Sequence, residues 1–298
     1  MACLATVLSF GFDPMPPDRM LPLWAELGCT RGQFYRNTDN PPDYAQARRM
    51  AEDAGVPIDS MHGVFGARLD PSSPRNAVRR ATIDAYRREV DVAHAVGAVG
   101  IVVHPSARNP GDVVFDPTDI AARQGALEAS LDELAAIGRD AGVSFWIENL
   151  PLDHLYGTDP LRLARTLKAY DGPELGMCFD TGHAHISLDE ASDGFDQVAP
   201  VVRCVHVSDN DGERDSHDWP GEGTIGWGTM GPALARLDDG VSVALELFPK
   251  PEELRARLDA GCAEAIRRMV LPGVAAGVSA GGASEPGRGE AHKAVGTD

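Results

Sequence analysis

The stretch VSFWIEN, residues 143–149, decides the fold class of this chain. It is a short run of large apolar residues without polar alternation, which is typical of a strand that is buried on both faces. A helical pattern precedes it in residues 116–142 and ends in glycine, the residue that favours a helix C-terminus. Another helical pattern follows in residues 159–170. Helix, buried strand and helix in this order predict a parallel sheet whose strands are connected by helices.

The same unit recurs along the whole chain. Strand candidates occupy residues 3–10, 32–36, 57–65, 100–104, 143–149, 175–180, 202–208 and 241–248. Helical candidates follow them at residues 17–28, 43–55, 74–97, 116–142, 159–170, 188–200, 230–237 and 251–270. Eight such βα units predict an α/β protein with a single (β/α)8 TIM barrel over residues 1–272. A doubly wound open sheet is the alternative, but SFGFDPMPP after the first strand lacks the glycine-rich turn GxGxxG.

Composition limits the partners and the compartment. The net charge of −18 makes nucleic acid and anionic membranes unlikely partners, because phosphate contacts need Lys and Arg. No apolar run reaches the ~18–20 residues of a membrane span, and the first residues lack signal-peptide features. The 5 cysteines show no CxxC spacing, which favours reduced thiols and a cytoplasmic location. Residues 273–298 are rich in glycine, alanine, serine and charge, which predicts a disordered tail.

Ionisable side chains stand at or just beyond the ends of most predicted strands. They are His62, His104, Glu148, Asp180, His183, His206, Asp215, His217 and Glu246. In a barrel these strand ends share one rim, where active sites form. A single strand-end histidine such as His62 or His104 is more often an ordinary polar group than a ligand, and a polar loop such as that with Asp215 and His217 is usually just solvated. His94, His154, His185 and His292 are interpreted as non-ligands.

Three carboxylates lie within apolar segments: Glu148 in FWIENL, Asp180 in MCFD and Glu246 in ALELFP. An unpaired buried carboxylate costs several kcal/mol, so each needs a cation or a proton. An ion pair with Arg36 or Arg203 is one explanation. The other is a divalent metal ion, and oxygen and imidazole ligands without thiolates suit Mn²⁺, Mg²⁺, Co²⁺ or Zn²⁺. The clustering of His, Asp and Glu at several strand ends favours the metal site.

Five segments across residues 2–270 resemble the xylose-isomerase-like TIM-barrel superfamily, which includes sugar isomerases, epimerases and endonuclease IV. The segments are VVHPS, WIENLP, CFDTGHAHI, CVHVSDNDGERDSHDWPGEGTIGW and ALELF. The resemblance to the isomerase and epimerase branch implies one divalent metal on Glu148, Asp180, His206 and Glu246, with His183 contacting the substrate. The resemblance to the endonuclease IV branch implies three zinc ions on nine ligands. Those nine match His62, His104, Glu148, Asp180, His183, His206, Asp215, His217 and Glu246. The presence of all nine residue types does not by itself decide between the two activities.

Three functional hypotheses follow. The first is metal-dependent isomerisation or epimerisation of a small sugar or sugar-like ketone through an enediolate, with Glu148 and Glu246 as acid and base, or a related dehydration. Arg36 and Trp219 are predicted substrate contacts, and Trp227 is either a pocket wall or core. The second hypothesis is a multi-zinc phosphoester hydrolase, which the acidic charge disfavours. The third is a non-catalytic sugar- or metal-binding barrel. Substrate phosphorylation and homo-oligomer formation stay open.

Overall fold

The computed structural model describes residues 2–110 and 117–273. Its strands pair in parallel and in chain order, and β1 pairs with β8 to close the barrel. The strands are β1 (Cys3–Phe10), β2 (Arg31–Arg36), β3 (Ile58–His62), β4 (Gly100–Val103), β5 (Ser144–Glu148), β6 (Leu175–Asp180), β7 (Val202–Val207) and β8 (Ser242–Leu245). The predicted (β/α)8 barrel is therefore confirmed. The predicted tail, apart from Gly273, lies outside the described residues.

Helices cover the outside of the barrel. They are α1 (Pro17–Leu27), α2 (Tyr44–Asp53), α3 (Asn76–Val96), α4 (Pro117–Ala141), α5 (Pro160–Leu167), α6 (Thr181–Ser187), α7 (Phe195–Val198), α8 (Trp227–Leu234), α9 (Pro251–Asp259) and α10 (Cys262–Val270). Their apolar faces pack on the outward side chains of the strands in one large core. No helix in the described part of the chain is both long and apolar enough to cross a bilayer.

Two predicted helices differ from the structure. Of the predicted segment 188–200, only α7 and a short 3₁₀ turn at its end are helical. The helix that directly follows β6 is instead α6, because the Asp180 side chain accepts a hydrogen bond from the His183 main-chain N–H at 2.7 Å and caps it. The predicted helix 251–270 is two helices, since Gly261 has a φ of +84° that interrupts helical backbone between α9 and α10.

The barrel interior is filled by side chains from alternate strand positions. Val102, Trp146, Cys178 and Cys204 form its middle layer. Gly100 leaves room for this layer, because a Cβ there would lie 2.1 Å from the Trp146 ring. The interior is therefore a packed core rather than a channel.

The same alternation brings the next inward residues to the rim. Asp180 and His206 are register partners on β6 and β7, and Glu148 is the partner of Cys178 on β5 and β6. Register partners on parallel strands point to the same face of the sheet. Glu148, Asp180 and His206 therefore point inward just above the packed layer.

Candidate metal centre

Four side chains meet at the centre of the rim: Glu148, Asp180, His206 and Glu246, here called the central group. One ligand atom from each lies within 4.8 Å of the others, and all four residues are buried. His206 Nδ1 lies 3.1 Å from Glu148 Oε1, 3.0 Å from Glu246 Oε2 and 3.7 Å from Asp180 Oδ2. The structure thus brings together the four residues that the sequence nominates for a single metal.

Three oxygens of the central group lack hydrogen-bond partners among the described residues: Glu148 Oε2, Asp180 Oδ2 and Glu246 Oε2. Imidazole nitrogens approach two of them, His104 Nε2 to 3.2 Å and His206 Nδ1 to 3.0 Å, but without hydrogen-bond angles. Buried anionic oxygens without partners are costly, and a divalent cation removes that cost. Three carboxylates and one imidazole fit Mn²⁺, Mg²⁺, Co²⁺ or Zn²⁺.

The alternative of arginine ion pairs is not realised. Arg36 makes a bidentate pair with Glu89, at 2.6 Å and 3.0 Å, between β2 and α3. The Arg203 guanidinium donates to the main-chain carbonyls of Pro200 and Val202. Both arginines are therefore engaged away from the central carboxylates.

Asp180 is oriented by contacts at both ends of the residue. Its Oδ1 caps α6, which leaves Oδ2 facing the central group. The side chain of Asn149, just after β5, accepts from the Asp180 N–H at 2.8 Å and donates to the Asp180 carbonyl at 2.9 Å. Asn149 thus fixes the end of β6 against β5, and with it the direction of the carboxylate.

A second set of predicted ligands surrounds the central group: His62, His104, His183, Asp215 and His217, here called the outer group. His62 and His104 approach Glu148 Oε2 at 3.6 Å and 3.2 Å, and the three could hold a second ion. Asp215 Oδ2 lies 3.3 Å from both His183 Nε2 and His217 Nε2. All nine predicted residues therefore converge on one site.

Three of these imidazoles are fixed by main-chain carbonyls. Nδ1 of His62 lies 2.9 Å from the carbonyl of Gly63, Nδ1 of His183 lies 2.9 Å from that of Asn149, and Nδ1 of His217 lies 3.0 Å from that of Glu246. A nitrogen that faces a carbonyl carries the proton, so Nε2 is left as the potential ligand atom in each ring.

Asp209, at the end of β7, fixes the loop that carries Asp215 and His217. Its buried carboxylate accepts from the main-chain N–H groups of Gly221 and Ile225 and from the Trp227 indole, at 2.8–3.1 Å. Within this loop, His217 has a φ of +49°. Such backbone in a non-glycine residue is uncommon and concentrates at functional sites.

A pocket of about 450 Å³ opens above the two groups, a size typical of small-molecule sites. Phe65 and Phe248, which are 46% and 39% exposed, form part of its wall with Tyr35. Phe65 stacks on His104 with a centroid distance of 4.6 Å, and Phe248 packs edge-on against His217 at 5.2 Å. These aromatic side chains were not nominated by the sequence, although Phe65 and Phe248 each follow a predicted ligand by two or three positions.

Residues 23–265 match the family described as xylose isomerase-like TIM barrel, which is most of the chain. The chain belongs to the xylose isomerase-like TIM barrel family.

Two relatives with similar sequences share about a quarter of their aligned residues with this chain. The uncharacterized protein MJ1311 of Methanocaldococcus jannaschii is 28% identical over 165 residues, which is 53% of this chain and 53% of that protein. The chain thus spans about half the length of this relative. A probable endonuclease 4 of Haloarcula marismortui is 26% identical over 199 residues, covering 61% of this chain and 66% of that protein.

A solved structure of D-psicose 3-epimerase, determined in the presence of D-fructose, has the same fold. It superposes with a TM-score of 0.70 and is 18% identical, covering 91% of this chain and 100% of that chain. The likeness concerns the barrel, and the activity of this member of the xylose isomerase-like family has to be argued from its site.

Protons balance the carboxylates when no cation is bound. Burial would lower the pKa of His206, but Glu246 and Glu148 raise it well above its usual range. Asp180 raises the pKa of His183 in the same way. Asp215 and Glu246 raise the pKa of His217 to about 9 despite its burial. In the metal-free protein these imidazoles therefore hold protons that offset the charge of the neighbouring carboxylates.

The pKa values of the three central carboxylates are shifted in different directions. Burial would raise the pKa of Glu246, but His206 and His217 lower it to about 2. Glu148 is likewise lowered, against its burial, by His206 and His104. Burial raises the pKa of Asp180 to about 7, opposed by His183 and assisted by Glu246 and Glu148. Burial lowers the pKa of His104 to about 4, so this ring is neutral at pH 7.

Two predicted substrate contacts do not line the pocket. Arg36 is buried in its pair with Glu89. Trp219 is buried against Trp24, at 6.4 Å between ring centroids, with the Arg257 guanidinium 4.5 Å above its ring. Trp227 is likewise a core residue.

The histidines interpreted as non-ligands have mixed positions. His154 lines the pocket, with its Nδ1 2.9 Å from Asp153 Oδ1. His185 lies 2.8 Å from the Thr224 hydroxyl, and His94 contacts the Ala141 carbonyl on the barrel exterior. His292 is outside the described residues.

Proposed function

We propose that this protein is a divalent-metal-dependent isomerase or epimerase of a small sugar or sugar-like ketone. The observation that carries the proposal is the central group, four ligand atoms within 4.8 Å of one another, two of whose residues, Glu148 and Glu246, line the open pocket. Two of its members are glutamates, the residue type that transfers protons at carbon in such reactions. Membership of the family and the barrel shared with D-psicose 3-epimerase support the same reading.

The two glutamates stand on different sides of the centre. Glu148 ends β5 and Glu246 follows β8, with β6 and β7 between them. One glutamate, as carboxylate, takes the proton beside the substrate carbonyl. The other, a carboxylate in the metal-free protein, would bind a proton in the substrate complex before it returns one. Return to the opposite face of the same carbon gives epimerisation, and return to the neighbouring carbon gives isomerisation.

Other groups prepare the substrate for this transfer. A bound divalent cation supplies Lewis acidity that polarises the substrate oxygens. His183, whose ring is fixed by the Asn149 carbonyl, directs Nε2 into the pocket beside Asp215 and is placed to hold a substrate oxygen. The buried position of Glu148 excludes bulk water from a proton that it takes from the substrate.

The pocket wall favours an uncharged substrate. Among the described residues that line it, Arg108 is the only arginine or lysine. Its side chain is 74% exposed and already pairs with Asp153 at 2.6 Å. A phosphate group would meet the carboxylates of the centre without an arginine or lysine directed at it from the described lining, whereas the rings of Phe65 and Phe248 suit the C–H face of a sugar. We therefore propose a non-phosphorylated ketose as substrate.

Metal content and deuterium exchange test the proposal. Elemental analysis of metal-replete protein should give about one ion per chain at high affinity. Incubation with free ketohexoses in D₂O should introduce deuterium at the carbon beside the carbonyl. No exchange with any ketohexose, together with cleavage of abasic-site DNA, would reject this function.

The Glu246→Gln variant tests the role of the glutamate pair. It should lower turnover by about 10²-fold or more, because proton transfer contributes on this scale. Glu252→Gln, on the exposed surface of α9, is the matched control and should keep full turnover. Both variants need a metal measurement, so that loss of the ion is distinguished from loss of the base. Full turnover of Glu246→Gln would remove Glu246 from the mechanism.

Phosphoester hydrolysis is the second candidate, and the outer group is the observation that favours it. Glu148 directs Oε1 to His206 of the central group and Oε2 to His62 and His104, so Glu148 and these two histidines would hold a second ion, which would supply an activated water for hydrolysis. The similarity to a probable endonuclease 4 agrees with this reading. About three ions per chain with hydrolysis of abasic-site DNA would support it. Sugar binding with neither exchange nor hydrolysis would instead support a non-catalytic barrel.

A further inference from the structure

We propose that Gln33 is a positioning residue that holds the proton of His206 on Nε2 and thereby presents Nδ1 to the metal. The inference rests on the metal centre of the proposed function. Gln33 lies on β2 with 0% exposure, and its side-chain carbonyl oxygen is 2.9 Å from His206 Nε2. An amide oxygen can only accept, so the imidazole nitrogen that faces it must carry the hydrogen.

A second contact fixes the orientation of the Gln33 amide. Its NH₂ group donates to the Cys204 sulfur at 3.6 Å, and the Cys204 thiol is directed to the Val205 carbonyl at 3.9 Å. Donors therefore run in one direction, from imidazole to amide oxygen and from amide nitrogen to sulfur to main chain. With the Cys204 thiol hydrogen on the Val205 carbonyl, a reversed amide would place its oxygen against a sulfur that has no hydrogen to donate, and buried polar groups without partners are costly.

His206 differs from the other fixed imidazoles of the site. His62, His183 and His217 are oriented by main-chain carbonyls, which no substitution of the carbonyl residue removes. His206 alone among these four depends on a side chain, which is separated from it by 173 positions in the chain. Replacing Gln33 therefore removes the partner that orients His206 and leaves every predicted metal ligand in place.

Loss of the Gln33 side chain would allow the other tautomer of His206. Without the Gln33 acceptor, a neutral His206 could carry its proton on Nδ1, which lies 3.1 Å from Glu148 Oε1 and 3.0 Å from Glu246 Oε2. That hydrogen would bond to Glu148 Oε1, lie close to the Glu246 carboxylate and occupy the position of the cation. In the neutral ring, Gln33 thus selects the tautomer whose Nδ1 has no hydrogen and is free to bind a metal.

Zinc affinity of substituted proteins tests the role of Gln33. Gln33→Leu keeps similar volume but removes the acceptor, and it should weaken Zn²⁺ binding about 10–100-fold in a chelator competition, the usual effect of losing such a partner. Gln33→Glu keeps an acceptor and should retain affinity close to that of the parent. Ser60→Ala is the matched control, since Ser60 is the buried register partner of Gln33 and its hydroxyl bonds to Asp59. The control should bind Zn²⁺ like the parent.

Nuclear magnetic resonance of ¹⁵N-histidine-labelled protein gives a readout that packing alone would not change. The zinc-loaded parent should show a slowly exchanging Nε2–H signal of His206, shifted in Gln33→Glu and rapidly exchanging or absent in Gln33→Leu. Unchanged Zn²⁺ affinity in Gln33→Leu, or a His206 proton on Nδ1 in the zinc-loaded parent, would overturn the inference. Should Gln33→Leu fail to fold, the parent spectrum and Gln33→Glu decide the matter. A parent that shows the expected spectrum but no turnover would reject the proposed function and leave the role of Gln33 intact.

Discussion

His183, His206 and His217 each carry a raised pKa because carboxylates of the same rim surround them. In the metal-free protein, the positive charge of these protonated imidazoles offsets the negative charge of the carboxylates. The usual pKa of histidine, 6.5, lies below these values, so the folded protein holds the protons more tightly than the unfolded chain does. Stability of the metal-free barrel is therefore linked to pH through these residues.

The free energy of unfolding of metal-free protein should fall as the pH rises from about 6.5 to about 9, the interval between the ordinary pKa of histidine and that of His217 in the fold. Asp180 adds to the fall below pH 7, since its raised pKa of about 7 also means a more tightly held proton in the folded state. Urea titrations across this range measure the effect. Saturating Zn²⁺ should reduce the fall because an ion on the central group replaces the His206 proton, and a flat profile without metal would contradict the assignment.

The end of β6 shows how one element positions a ligand for another. Asp180 is the last residue of the strand and the cap of α6, and Asn149 fixes its main chain from β5. A carboxylate that is shared between capping and the metal centre has one oxygen committed to each. The direction of the ligand therefore depends on the junction of strand and helix as well as on Asp180 itself.

Replacing Asn149 with alanine should destabilise the protein and weaken metal binding together. The N–H and carbonyl of Asp180 would lose their partners in the buried rim, at about 1–3 kcal/mol for each group left unpaired. Asn40→Ala removes an exposed amide that bonds to the Gly11 carbonyl, and it should change the free energy of unfolding by less than about 0.5 kcal/mol. Chemical denaturation and Zn²⁺ competition measure the two effects. Unaltered metal affinity in a destabilised Asn149→Ala protein would show that the two hydrogen bonds from Asn149 to the Asp180 main chain contribute to stability alone.

The closed barrel makes the rim possible, because its packed interior supports the site from below. Trp146 fills the interior beneath Glu148 only because Gly100 on the neighbouring strand has no side chain. Close-packed interiors resist added volume, so a single methyl group added to this layer should displace the side chains that support the site.

Gly100→Ala should lower the free energy of unfolding by about 1–3 kcal/mol, since its Cβ would overlap the Trp146 ring. Gly125→Ala is the matched control on α4, where an added Cβ meets nothing within 4 Å. There alanine should stabilise the helix by roughly 0.5–1 kcal/mol. Thermal and urea unfolding of both variants measure the difference. Equal stabilities would show that the interior can relax around the added methyl group.

The sequence by itself determined the architecture and the chemistry of the rim. Hydrophobic periodicity marks the eight strands, and the positions of Glu148, Asp180 and His206 at strand ends follow from counting along each run. These signals are local, so they can be read without knowing which segments meet. Even the start of α6 could have been found, because Asp180 is a common capping residue before a helix.

Tertiary structure decided which atoms of those residues face one another. Arg36 pairs with Glu89 across 53 positions, and the Gln33 amide meets His206 across 173, so neither partner is visible in the neighbouring sequence. The burial of Trp219 and the exposure of Phe65 are likewise set by packing between distant elements. Periodicity fixes the face on which a side chain lies, but ion pairing, tautomer and pocket lining depend on contacts that exist only after the barrel has closed.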